Sequence, residues 1–118
     1  MDRFVELGSY MDCYGALLTE RQASIMSQYA YENCSLAEIA ERESISRQGV
    51  RDILVRAEQQ LRQYEEKLHM SEKLLKTRTA AEECKRTVTK LELCGNDRER
   101  VLRSLERIER IWEDDDGV

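Results

Sequence analysis

Four residues within ten positions carry the side chains of this 118-residue chain best suited to recognition chemistry: Arg47, Gln48, Arg51 and Arg56, with Ser46 just ahead of them. A guanidinium fork matches the two acceptors of guanine in the major groove, and a glutamine amide matches adenine. Arg47, Gln48 and Arg51 fall on the first turn and a half of a helix that Ser46 is suited to cap. They would reach base edges, while Ser46 and Arg56 suit phosphate oxygens. The expected DNA-binding set is therefore Ser46, Arg47, Gln48, Arg51 and Arg56.

Other chemistries find less support. Cys13, Cys34, Cys84 and Cys94 are scattered, with no C-x-x-C pair and one histidine, His69, so a zinc site is not expected. The cysteines read as reduced, small hydrophobic residues. His69 stands in a charged helical stretch, and neither a nucleophile motif nor a phosphate-cradling glycine loop occurs. An enzyme is not expected, nor any metal or cofactor.

The elements that must position the recognition residues come from Ser35 to Arg56. Leu36, Ile39 and Ala40 share one helical face, and Val50, Ile53 and Leu54 share another. Ile45, between two serines, is an apolar plug for a turn. Ser35 with Glu38 makes a capping box. Small Ala40 allows two steeply crossed helices to approach. This is the logic of a helix-turn-helix, whose second helix enters the major groove; a plain helical hairpin in a bundle is the alternative. Glycine is usual in such turns, and Ser44 stands where it might sit.

Upstream, Phe4, Val5, Leu7, Met11, Tyr14, Leu17 and Leu18 make an approximate helical stripe that Gly15 should end. Thr19 and Gln22 make a second capping box, opening a helix from Glu20 to about Glu32 whose inner face is Ala23, Met26, Tyr29 and Ala30. Downstream, no proline interrupts the chain, and the helix begun at Ser46 is predicted to run to about Lys76. Leu54, Leu61, Leu68 and Leu75 recur every seven residues, a short coiled-coil seam or one face of a long covered helix. A further helix is expected from about Lys76 to Leu93, with Ala81, Cys84, Val88 and Leu91 inward and Gly95 as its C-cap. Asn96 and Glu99 would open a last helix with Val101, Leu102, Leu105, Ile108, Ile111 and Trp112 inward. The acidic run Glu113–Asp116 should fray that helix's C-terminus.

Composition agrees with an all-α chain: charged residues make up 36%, glycines number five and aromatics are 6%. No apolar run is long enough to span a membrane, and MDRFVELGSY lacks the build of a signal peptide, so a cytoplasmic protein is expected. The net charge of −5 gives a weak electrostatic background for nucleic acid. Yet between Ser46 and Gln63 the balance reverses, with Arg47, Arg51, Arg56 and Arg62 against Asp52 and Glu58. The expected organisation is a helix-turn-helix domain over residues 1–63 and a C-terminal helical arm over 64–118. The narrow apolar stripes of that arm need packing or a second copy of the chain, so a homodimer is expected.

Tyr14-Gly15-Ala16-Leu17-Leu18-Thr19-Glu20-Arg21-Gln22, Ser35-Leu36-Ala37-Glu38-Ile39-Ala40, Ser46-Arg47-Gln48-Gly49-Val50 and Tyr64-Glu65-Glu66-Lys67-Leu68-His69 resemble the YlxM family of small bacterial helix-turn-helix proteins. The resemblance covers about residues 10–76. It implies a fold like region 4 of bacterial sigma factors, a promoter-reading module, here followed by a long helix leading into the arm. It also implies a regulatory role connected with the signal recognition particle pathway, since the family's genes neighbour that of the particle's GTPase. An adaptor that contacts a signal recognition particle protein or RNA, and not DNA, is the alternative. Gly49 stands where the family usually has alanine, which loosens the helix by roughly 1 kcal/mol, and Arg51 where an aromatic is common.

Overall fold

The computed structural model describes residues 2–92 and 95–113. Six helices carry the described chain: α1 (Arg3–Tyr14), α2 (Glu20–Ala30), α3 (Leu36–Glu43), α4 (Arg47–Leu68), α5 (Met70–Lys90) and α6 (Asp97–Glu113), with a single 3₁₀ turn at Gly15–Leu17. The fold is all-α, with no strand among the described residues. Two compact units divide the chain, Met1–Ser71 and Glu72–Val118.

In the first unit the local signals set the helix starts. Asp2 caps α1, its side chain accepting from the Phe4 N–H at 2.7 Å. Thr19 and Gln22 form the expected capping box, with bonds of 3.1 and 3.2 Å. Gly15 is the C-cap of α1. The core is built by Leu7 and Tyr14 of α1, Ile25 and Met26 of α2, Ile39 of α3, and Val50 and Leu61 of α4, all fully buried. Each such aliphatic side chain contributes roughly 1.5–3 kcal/mol by leaving water. On α2 the buried residues are Ile25, Met26 and Gln28; Ala23, Tyr29 and Ala30, expected inward, are half-buried around them. The helix stops at Ala30, ahead of the expected Glu32. Asn33 turns to φ 54°, and the Cys34 N–H reaches back to the Gln28 carbonyl at 2.9 Å.

The long helix from Ser46 does not continue to Lys76. α4 ends at Leu68, and His69 adopts a left-handed conformation, φ 54° and ψ 27°, as its C-cap. The cause is tertiary. The Tyr14 hydroxyl accepts from the Met70 N–H at 3.0 Å and donates to Glu65 Oε1 at 2.6 Å. The same carboxylate oxygen accepts from the Ser71 N–H at 2.9 Å, and the Ser9 and Ser71 hydroxyls are hydrogen-bonded. A phenol and a carboxylate thus occupy the first donors of α5, the groups an uninterrupted helix would have bonded internally. Burial, then the bond to the Glu65 carboxylate, pushes the Tyr14 phenol up to about 12. The leucine seam divides accordingly: Leu54 and Leu61 are buried, whereas Leu68 and Leu75 are 47% and 52% exposed.

In the second unit the helical phase is reset by that break. Leu74, Ala81 and Val88 form the buried row of α5, seven residues apart, and Cys84 and Leu91, expected inward, are exposed. Arg98 donates to the Thr89 and Leu91 carbonyls at 3.2 and 2.7 Å, satisfying acceptors at the end of α5 that have no helical partner. Lys85 pairs with Glu109 of α6, and this hydrogen-bonded contact raises the lysine's affinity for its proton. Gly95 takes φ +61°, a conformation that suits glycine. Of the residues expected to face inward on α6, Leu102 and Leu105 are half-buried while Val101, Ile108 and Ile111 are exposed, Ile111 at 72%. The expectations for Leu93, Cys94, the Trp112 side chain and the tail from residue 114 fall outside the described residues.

Candidate nucleic-acid interface

The helix-turn-helix geometry starts with α3. Ser35 Oγ accepts from the Glu38 N–H at 3.1 Å, and Glu38 Oε1 accepts from the Ser35 N–H at 2.9 Å. That backbone bond holds the Glu38 carboxyl below its usual range. At the other end Ser44 adopts the left-handed conformation, φ 57° and ψ 43°, and the Ile45 N–H bonds the Ala40 carbonyl at 3.1 Å. The turn therefore has the backbone that glycine would give, with serine in place. Ile45 packs half-buried against the core, as the plug the sequence suggests.

α4 then begins at its cap: Ser46 Oγ accepts from the Gly49 N–H at 2.9 Å. A Cβ at Gly49 would lie 3.2 Å from that hydroxyl, so the glycine, whatever it costs in helix propensity, leaves the cap undisturbed. Val50, Leu54, Ala57 and Leu61 face the core. At 3.6 residues per turn, Gln48 stands nearly opposite them, with Arg47 and Arg51 on one flank and Arg56 on the other. All five expected site residues are exposed, four on α4 and Ser46 at its N-cap.

The arginines of the first unit separate into two kinds. Arg62 bonds Glu6 at 2.6 Å and Glu58 at 2.9 Å and lies over the Tyr10 ring, 5.7 Å from its centroid. Arg3 bonds Glu58 at 2.5 Å and Tyr29 at 2.7 Å, and Arg42 pairs with Glu32 at 3.3 Å. Burial alone would raise Glu58, but the Arg3 and Arg62 guanidiniums outweigh it and hold the carboxyl below its ordinary value. Arg47, Arg51 and Arg56 of α4, and Arg21 of α2, by contrast, have no carboxylate within ion-pairing distance among the described residues. Arg62, which the charge count placed on the basic face, is thus committed to the α1–α4 contact. Asp52, which the sequence reading counted only as an opposing charge, accepts from Gln48 Nε2 through Oδ1 at 2.9 Å; their separation of four on a helix was the available signal.

The sequence that builds these two capped helices and their turn has relatives among known proteins. The UPF0122 family model, described as "Putative helix-turn-helix protein, YlxM / p13 like", matches residues 1–101. The chain belongs to this family. UPF0122 relatives include a protein of Acetivibrio thermocellus, 38% identical over 116 residues that span 96% of this chain and 99% of the relative. A Bacillus cereus member is 31% identical over 92% of this chain and 99% of its own length. One from Clostridium botulinum is 43% identical over 64% of this chain and 70% of its own. No solved structure matches the chain significantly. The UPF0122 match runs beyond Lys76, where the motif-level resemblance stops, and takes in α5 and the start of α6. No described helix is long and apolar enough to cross a membrane.

Proposed function

We propose that this UPF0122 protein is a cytoplasmic regulator, not an enzyme, that binds DNA through α4 in the manner of sigma region 4. Arg47, Gln48 and Arg51 read base edges, and Arg56 and Ser46 hold phosphates. The observation that carries this reading is the partition of the arginines. In a chain of net charge −5, where carboxylates are plentiful, three of the four first-unit guanidiniums without an ion pair among the described residues stand on the motif's second helix, the fourth being Arg21 of α2. Unpaired, hydrated arginines on such a helix are what phosphate and guanine recognition require.

The test is a fluorescence titration at several salt concentrations against the gene's own upstream DNA and signal recognition particle RNA. Arg47→Ala or Gln48→Ala should relax preference between related DNA sites by roughly 1–3 kcal/mol. Arg56→Ala should weaken all sequences alike and reduce the salt slope by about one. Absence of DNA binding by the parent at low salt refutes the reading.

A second reading is an adaptor that contacts a signal recognition particle protein or RNA. What favours it is Asp52, which occupies Gln48 and sets a carboxylate in the centre of the reading surface. Binding of the particle RNA or its GTPase, with DNA unbound, would select it. Under either reading we infer a homodimer, because Val101, Ile108 and Ile111 leave an exposed apolar line on α6, more than an isolated arm tolerates.

A further inference from the structure

Beside the reading surface, the first unit has a cavity of about 290 Å³ lined by Arg3, Tyr29, Leu36, Arg51, Leu54 and Val55. Its floor is aliphatic: Leu54 is buried, Leu36 half-buried, and Val55 is 50% exposed at the edge. Two guanidiniums stand at its mouth. Arg3 is fixed by the Tyr29 hydroxyl and Glu58 and lies over the Tyr29 ring, 5.5 Å from its centroid. Two of its five N–H donors are thereby engaged and the rest are left over. Arg51 has no ion-pair partner among the described residues.

We propose that this cavity receives one bulky apolar side chain from an acidic segment of another protein, with Arg3 and Arg51 pairing the carboxylates that flank it. The volume sits at the bottom of the range for small-molecule pockets, about 300–1,000 Å³, and fits a single aromatic or leucine-sized anchor. The Leu36, Leu54 and Val55 walls suit a buried apolar group, and an apolar anchor ringed by arginine is the composition of a protein-interface hot spot. Local charge complementarity fixes the rest: unpaired Arg51 and the donors that Arg3 keeps beyond its Glu58 and Tyr29 bonds select carboxylates at short range, against the long-range repulsion of a chain of net charge −5. The site does not depend on the DNA reading. Where both hold, Arg51 is shared, and partner and DNA exclude each other.

The experiment is fluorescence anisotropy of the full chain, without DNA, against a labelled short peptide of glutamate and serine with one central phenylalanine. Binding is expected, and peptides with serine for the phenylalanine, or glutamine for the glutamates, should bind about tenfold more weakly or worse. Val55→Trp fills the cavity without changing charge and should cost about tenfold as well, as should Arg3→Gln. Circular dichroism establishes that each variant is folded; Val55 is half-exposed, so its variant keeps the test valid if loss of the Arg3–Glu58 pair unfolds the other. No binding at millimolar peptide overturns the proposal. So does equal binding of the phenylalanine-free peptide, or parental affinity in Val55→Trp. Free phenylpropionate binding as tightly as the peptide would make this a small-carboxylate site and equally overturn it.

Discussion

Tyr14→Phe isolates the contact that divides α4 from α5. The ring keeps its place, buried to 2% exposure and tilted against Tyr64 at 5.8 Å; only the hydroxyl is lost. With it go the 2.6 Å bond to Glu65 and the acceptor for the Met70 N–H. A bond to a charged group is worth about 1.5–3 kcal/mol, and a buried donor left unmatched adds to the loss. The expected destabilisation is therefore about 3 kcal/mol. For a unit this size, that lowers the melting temperature by roughly 12–24 °C. Thermal melts by circular dichroism read the effect, and hydrogen exchange at Met70 and Ser71 locates it. Alkaline pH adds a signature. The folded phenol titrates at about 12, against 10.0 ordinarily, so the folded state keeps a proton that the unfolded chain gives up. The resulting stability is complete below pH 10 and is lost as pH rises towards 12, by about 2–3 kcal/mol. The gap between parent and variant should accordingly narrow over that window. A melting temperature within a few degrees of the parent's, or a gap independent of alkaline pH, would refute this account of the break.

The remaining predictions concern the core, the turn, acid stability and assembly. Val50→Asp sets an unpaired carboxylate in a fully buried position, so cooperative unfolding of the first unit should be abolished in urea titrations. Ser44→Gly should stabilise by about 0.5–1 kcal/mol in the same assay, relieving a left-handed serine. Glu58 has a lowered folded-state pKa from Arg3 and Arg62; its contribution is present above the ordinary carboxylate range and lost as pH falls through the folded value. Glu58→Gln should flatten the acid decline in urea midpoints below pH 5. Light scattering should give twice the 13.9 kDa chain mass, and Ile108→Asp should return it to a single chain.

What was legible in the sequence is what short spacing determines. The Thr19–Gln22 and Ser35–Glu38 capping boxes, the Ser46 cap and the Ile45 plug all rest on residues within five positions of one another. Each is where the pattern places it. Exposure of Arg47, Gln48, Arg51 and Arg56 followed from helical periodicity, because Val50, Leu54 and Ala57 define the inward face. The misses are long-range. Nothing near His69 marks a helix end; the break is imposed by Tyr14, 56 positions from Met70, so the seam through Leu68 and Leu75 was extrapolated across a boundary. Arg62 is a mixed case: its pair with Glu58, four residues earlier on the helix, was within reach of the sequence, whereas Glu6, 56 residues earlier, was not.

Ser44 has a consequence for how this surface can evolve. A glycine in the turn would satisfy the backbone and present nothing else. Here backbone hydrogen bonds and the Ile45 plug hold the left-handed residue, and the position keeps an exposed side chain two residues ahead of Ser46. Asparagine and aspartate also tolerate this conformation, so a lineage can alter charge and hydrogen bonding at the edge of the α4 surface by single substitutions. The turn is a site where surface chemistry can drift while the fold stays constant.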